Sequence, residues 1–324
     1  MGDMTTRTRT AVVLAALLVA CRGLPAQEPP TALGPGDHEV GLRHGGLDRF
    51  YLVRVPPARA DRAGPRPLVL MLHGGGGNPE SLARYGLLEV ADREGFLLVR
   101  PAGTGRLDRR LLTWNAGTCC GWAHDQAVDD VGFLRAVVAD VSSRAQVDRA
   151  RVYATGHSNG GMMAYRLAAE AGDLVAAVCA VGGAMVCEPP REGAPAVPVL
   201  HIHSRDDPRA LYDGGLGPPF PLTNRRVQHP KVQDTLDDWI AHDACAGEPR
   251  REPPLRAPNG HTAERLTWGP GRDGAEVVHW RLTGVGHGWP GAPATGRERL
   301  VGPSTTVIDA SAEAWAFLRR FARP

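Results

Sequence analysis

The chain has 324 residues, 43% of them apolar and 22% charged, which describes a globular protein long enough to bury a substantial core. Its 37 basic residues nearly cancel its 35 acidic ones, leaving a net charge of +2, so electrostatics give no reason to expect a nucleic-acid or acidic partner. Lys231 is the single lysine, and an arginine bias of this kind fits GC-rich coding better than a phosphate-binding surface.

In chain order, Arg7 and Arg9 precede an uncharged run from Ala11 to Ala20, the pattern of a secretory signal. A membrane-spanning helix needs about 20 apolar residues, and this run is too short. Residues 1–21 are therefore expected to be an export signal, with the mature protein acting outside the cytoplasm. Leu18-Val19-Ala20-Cys21 resembles a bacterial lipobox, which would make Cys21 a lipid anchor and the protein's one attachment to a membrane. A plain signal cut near Leu24–Gln27 is the alternative. The Pro- and Gly-rich residues 22–36 are expected to form a flexible tether, and residues 37–324 a single domain.

Within that domain, strand and helix patterns alternate. Strands are expected at residues 49–55, 67–72, 96–100, 151–154, 174–181, 197–203 and 276–282. Helices are expected at 81–94, 127–143, 161–171, 225–242 and 306–321. Such alternation implies an α/β fold with a mostly parallel central sheet and helices on both faces. Residues 102–126 and 206–224 are too irregular for the core and follow strands, where ligands of such sheets bind, so both are candidate walls of a site. With Cys21 set aside, Cys119, Cys120, Cys187 and Cys245 are the candidate disulfide partners, in a connectivity left open. Cys179, in A-A-V-C-A-V, is expected to be a buried small hydrophobe.

The stretch G-H-S-N-G, Gly156 to Gly160, lies between a strand and a helix, the context in which G-x-S-x-G marks a nucleophile elbow. A serine hydroxyl needs a base, and the base an orienting carboxylate. In chain order Ser, Asp, His, the partners are one of Asp206 and Asp207 after the strand P-V-L-H-I-H, with Asp207 favoured, and His287 in the glycine-rich loop G-V-G-H-G-W. The loop H-G-G-G-G-N, His73 to Asn78, is of the oxyanion type: Gly75, with Gly74 next, is expected to supply one backbone donor and Asn159 the other. A phosphate-binding loop is the competing interpretation of those glycines, but no Lys-Ser/Thr follows them. His201 and His203 share a strand face and with Asp207 form a weaker metal-site candidate. His157 is expected to pack beside the elbow. Asp129 and Asp130 are expected to cap a helix start.

Together, L-H-G-G-G-G-N, W-N-A-G…C-C-G, V-D-D-V-G-F-L, Y-A-T-G-H-S-N-G-G-M-M-A-Y-R-L-A, H-I-H…D-P…Y-D-G-G and G-H-G-W-P-G resemble the esterase family that includes polyhydroxybutyrate depolymerases and feruloyl or acetylxylan esterases. The resemblance runs in order from His73 to Gly291. It implies an α/β-hydrolase fold and a secreted serine esterase needing no cofactor. It also implies Ser158 as nucleophile, His287 as base and Asp207, before Pro208, as the acid. The chain departs from the family pattern at Ser204, Arg205, Arg209 and Leu211, where Gly, Thr, an apolar residue and Pro are usual, so the pocket beside the acid is expected to differ. Trp114, Tyr212 and Trp289 lie in matching segments as candidate substrate contacts. The expected substrate is a small, oligomeric or polysaccharide-borne ester: polyhydroxybutyrate-type oligomers, or feruloyl or acetyl esters of plant polysaccharide. Nothing after the closing helix resembles a polymer-binding module, which favours soluble esters over solid polymer. A serine peptidase of the same fold and a non-catalytic surface binding protein are the competing functions.

Overall fold

The computed structural model describes residues 31–58, 64–220 and 224–324. The expected export signal, Cys21 and most of the tether lie outside the described residues. At the tether's end, Leu33 N–H donates to Arg144 O (3.0 Å), and strand β1 begins at Gly36.

Strand β3 (Arg66–Leu72) shows why the sheet takes helices on both sides. Its side chains alternate, with Leu68, Leu70 and Leu72 entering one apolar cluster and Val69 and Met71 the other, all five buried. The first cluster is closed by helices α3 (Asp130–Arg144), α4 (Asn159–Glu170) and α5 (Val232–His242) through Phe133, Met163 and Trp239. The second is closed by α1 (Leu87–Glu94) and α7 (Ala310–Leu318) through Leu87 and Trp315.

The parallel centre of the sheet runs in the order β4 (Leu97–Pro101), β3, β5 (Val147–His157), β6 (Ala177–Val181), β7 (Val199–Ser204) and β13 (Val277–Thr283). Antiparallel strands flank it: the hairpin β1 (Gly36–His44) and β2 (Leu47–Val55) beside β4, and β12 (Thr262–Trp268) beside β13. Two-residue strands β10 (Arg250–Arg251) and β11 (Leu255–Arg256) finish the far edge, while β8 (Asp213–Leu216) pairs with β9 (Gln228–Lys231) outside the main sheet. Short helices α2 (Gly121–Asp125) and α6 (Glu298–Val301) complete the described elements. This is the α/β-hydrolase arrangement.

The expected elements are present with bounds shifted for local reasons. The helix expected over 81–94 is broken at Gly86, whose φ of 82° is left-handed and ends one helical turn before α1 starts. The helix expected over 225–242 starts only at Val232, because Pro230 holds His229 in extended backbone and the segment pairs as β9. Asp129 caps α3 by accepting from Gly132 N–H (2.8 Å). Asp130 does more than complement the helix dipole. It is fully buried against Arg49 Nη2 (2.8 Å) and accepts from Asn115 N–H (2.8 Å), pinning β2 and the 102–126 loop to the start of α3. Burial pushes the Arg49 guanidinium down and the Asp130 carboxyl up, against their mutual attraction.

Asp243, at the end of α5, is a buried carboxyl without an ionic partner of comparable quality. Its Oδ1 accepts from Val197 N–H (3.2 Å), its Oδ2 has no hydrogen-bond partner among the described residues, and burial pushes its pKa up to about 7. An unfolded-chain Asp releases its proton near pH 3.9. Between about pH 4 and 7 the folded protein therefore holds a proton that the unfolded chain has lost, and stability from this group falls as pH rises through that window. Asp243→Asn is expected to remove that slope and to stabilise the protein by about 1–3 kcal/mol at pH 8, with little effect near pH 4. Urea unfolding of both proteins across that range measures it, and a wild type no less stable than the variant at pH 8 contradicts it.

Candidate active site

Strand β5 delivers Ser158 at its carboxyl end, and α4 leads away from it. The serine backbone sits at φ 56°, ψ −122°, a conformation costly for a residue with a Cβ, and its N–H donates to Val181 O (2.8 Å). The bend is tight enough that a Cβ on Gly160 would overlap the Leu72 carbonyl oxygen, and one on Gly156 would overlap the Gly160 backbone. Gly160→Ala is therefore expected to lose about 3 kcal/mol of stability and most activity. Gly41→Ala, with open space around an exposed strand position, should be near neutral. Comparing urea midpoints of the two variants checks this, and equal midpoints contradict it.

Asp207 and His287 arrive from the loops after β7 and β13. His287 Nδ1–H donates to Asp207 Oδ2 at 2.6 Å, which leaves Nε2 as a bare lone pair. Asp207 is otherwise saturated: Oδ1 accepts from Arg209 N–H (2.7 Å) and Ala210 N–H (2.9 Å), and Oδ2 lies 3.4 Å from His203 Nε2. Burial alone would raise its pKa, but its pairing with His287 and the hydrogen bonds from His203 and His287 outweigh burial and hold the carboxyl well below the usual range. These contacts favour the ionised form of Asp207. Asp206 does other work, accepting from Gly284 N–H (2.7 Å) on the surface.

Behind Asp207 runs a buried chain of rings whose tautomers follow from its end point. Ala210 O can only accept, so His203 Nε2 carries the proton (2.8 Å); His203 Nδ1 then accepts from His201 Nε2–H (3.0 Å), and His201 Nδ1 from Tyr165 O–H (2.9 Å). Burial pushes His201 far down, in keeping with a neutral ring. The histidines weighed as metal ligands thus direct their nitrogens to one another and to the loop carrying Asp207.

Ser158 and His287 line one cleft of about 390 Å³, part of it open to solvent, together with Asn159. The serine Oγ has no hydrogen bond among the described residues, a looseness common before substrate binds. Gly74 and Gly75 flank it: added Cβ atoms there would stand 3.5 Å from Ser158 Cβ and 3.6 Å from Asn159 Cβ. The Asn159 side chain clamps the loop opposite, exchanging hydrogen bonds with Trp114 N–H (2.8 Å) and Trp114 O (3.0 Å). His157 packs beside the elbow, 4.8 Å ring to ring from His287, and burial lowers its pKa to about 3.

None of the three aromatic residues expected to touch substrate lines the cleft. Trp114 is fully buried, its Nε1–H donating to His73 O (3.0 Å). Trp289 is buried against Tyr85, stacked at 5.0 Å, and donates to Ser311 Oγ (3.0 Å). Tyr212 O–H turns to His279 Nε2 (2.9 Å), whose pKa burial lowers to about 3. Their motif positions brace the loops from behind. The cleft is faced instead by Met162, Arg209, Pro218, Phe220 and His229, with Cys120 at its wall. Both irregular segments expected to form walls contribute, as Cys120 and Arg209 to Phe220 show. Arg209 was visible as a departure from the family pattern, whereas His229 lay in sequence that reads as helix. Burial lowers the His229 pKa to about 4, so it faces the cleft uncharged. Cys119 and Cys120 form a disulfide between neighbours, and among the described residues Cys179, Cys187 and Cys245 have no disulfide partner, so the pairing considered for Cys187 and Cys245 does not form there.

A family model described as Esterase PHB depolymerase matches residues 49–220, which hold Ser158 and Asp207. NocK of Nocardia uniformis subsp. tsuyamanensis, whose name gives it provisionally as an esterase, is 31% identical over 98% of this chain and 99% of its own. The bifunctional acetylxylan esterase/xylanase XynS20E of Neocallimastix patriciarum is 29% identical over 76% of this chain, which matches only 32% of that longer protein. Among solved structures, the acetyl xylan esterase from Aspergillus awamori shares the fold with a TM-score of 0.55 at 15% identity, over 81% of this chain and 97% of that one. A family match over more than half the chain, with near-complete mutual coverage by NocK, places this chain in the esterase PHB depolymerase family.

Proposed function

We propose that the protein is a serine carboxylic ester hydrolase working through an acyl-enzyme. The observation carrying this reading is the strained Ser158 elbow sharing a cleft with a His287 whose Nδ1 is held by the Asp207 carboxyl. His287 Nε2 takes the Ser158 proton as Oγ bonds to the ester carbonyl carbon. The Gly75 and Asn159 N–H groups receive the negative charge on the carbonyl oxygen. As the oxyanion collapses, the bond to the alcohol oxygen breaks and His287 hands over its proton. Water then attacks the acyl carbon, giving a proton to His287, and the acid departs as Ser158 recovers its own.

The substrate class drawn from the family is a hydroxybutyrate-type oligomer, or a feruloyl or acetyl ester of plant polysaccharide. The workplace is extracytoplasmic, the protein being secreted or held by a lipid on Cys21. Among the described residues no helix is long and apolar enough to cross a membrane. Hydrolysis of a short 4-nitrophenyl ester by wild type and by Ser158→Ala tests the chemistry, and equal rates sink it.

A further inference from the structure

Apart from its histidines, the cleft that holds Ser158 and His287 is lined by apolar or uncharged groups on every described side but one. Met162, Pro218 and Phe220 supply hydrocarbon, and among the described residues no aspartate or glutamate lines it. Asp207 lies beneath His287 with its side chain 1% exposed and both oxygens bonded, so its charge is not offered to a ligand. The exception is Arg209. Its guanidinium stands 5.9 Å from the Phe220 ring centroid and donates from Nη2 to Pro219 O (3.2 Å). Among the described residues no carboxylate pairs with it. A guanidinium offers five N–H donors in a planar fork that matches a carboxylate, and one contact to a carbonyl leaves most of them unused. Arg209 also occupies a position two residues from the acid, where its main chain is fixed by the bond to Asp207 Oδ1, so the head group's root is held close to the reacting centre.

Resting on the serine-esterase reading, we infer that Arg209 is a specificity determinant: the cleft selects esters that carry a free carboxylate within a few atoms of the scissile carbonyl. The carboxylate pairs with Arg209 while the adjoining chain lies along Phe220 and Met162. Two sources share this chemistry, an acyl half derived from a dicarboxylic acid and an alcohol half that is itself a hydroxy acid.

Matched esters distinguish the two sources. On the acyl side, 4-nitrophenyl hydrogen glutarate is compared with methyl 4-nitrophenyl glutarate. On the alcohol side, 3-acetoxybutanoate is compared with its methyl ester, acid release being followed by titration. In wild type the charged member of at least one pair should show the higher kcat/KM, and its preference over the neutral member should fall about 10- to 100-fold in Arg209→Leu, the range of a charge-assisted pair. Arg209→Lys should restore part of the preference, and Arg209→Glu should reverse it. A preference that is the same in wild type and Arg209→Leu for both pairs overturns the inference. Calorimetric binding of glutarate to Ser158→Ala, with and without Arg209→Leu, gives a readout independent of turnover. Tighter binding with Arg209 supports the inference, and equal binding overturns it. Should wild type hydrolyse none of the esters, the hydrolase reading fails while the binding comparison still decides this one.

Discussion

Ser158→Ala is expected to lower kcat about a million-fold, with KM and thermal stability close to wild type. The nucleophile is the only group able to form the acyl bond in the proposed sequence, and its Oγ holds no hydrogen bond among the described residues whose loss would be felt in folding. A residual rate above the uncatalysed reaction should persist, because the Gly75 and Asn159 donors remain to stabilise attack by water. Alanine keeps the Cβ and hence the backbone strain at φ 56°. Ser158→Gly relieves that strain and should be more stable than Ser158→Ala by about 1 kcal/mol while equally inactive. Single-turnover kinetics and urea unfolding of the two variants separate chemistry from strain. A loss of activity that tracks a loss of stability would contradict the assignment.

Asp207→Asn is expected to lower kcat about ten-thousand-fold, and the hydrogen bonds around the residue say why. Two backbone donors, Arg209 N–H and Ala210 N–H, fix the Oδ1 position as an acceptor. The amide oxygen of asparagine must therefore sit there, which turns the NH₂ group toward His287. His287 Nδ1 then has to accept, its proton moves to Nε2, and the ring presents a donor where Ser158 needs a base. Asp206→Asn, altering only an exposed contact to Gly284, should stay within about threefold of wild type. Kinetics of the two variants side by side check the choice of acid. Comparable losses in both, or a larger loss at Asp206, would reject it.

Much of this site was legible because its chemistry depends on sequence order and on glycine. The elbow needs small residues where β5 and α4 nearly touch, and Gly156 and Gly160 are visible as letters. Asp207 and His287, the proposed acid and base, follow strands whose apolar runs mark their ends. Less legible was anything decided by which way a side chain turns. Trp114 and Trp289 stand in site-edge motifs, but each carries an N–H that finds a buried acceptor, and the indoles pack behind the loops. His229 escaped notice because the apolar spacing of 225–242 outweighed the single proline that makes its segment extended. The antiparallel flanks were under-read for a related reason: β1 and β12 have half-exposed faces, so they lack the continuous apolar runs of the buried parallel strands. Asp130 looked like a capping residue from its place at a helix start, and only the fold brought Arg49 of β2 against it.

As the nucleophile of an acyl-transfer site, Ser158 should react with diethyl 4-nitrophenyl phosphate, releasing 4-nitrophenolate. Intact-protein and peptide mass spectrometry should find one diethylphosphoryl group per chain, on Ser158, matched by loss of esterase activity, with Ser158→Ala unlabelled. A label on another residue, or none while the folded protein still hydrolyses esters, would rule out Ser158 as the nucleophile.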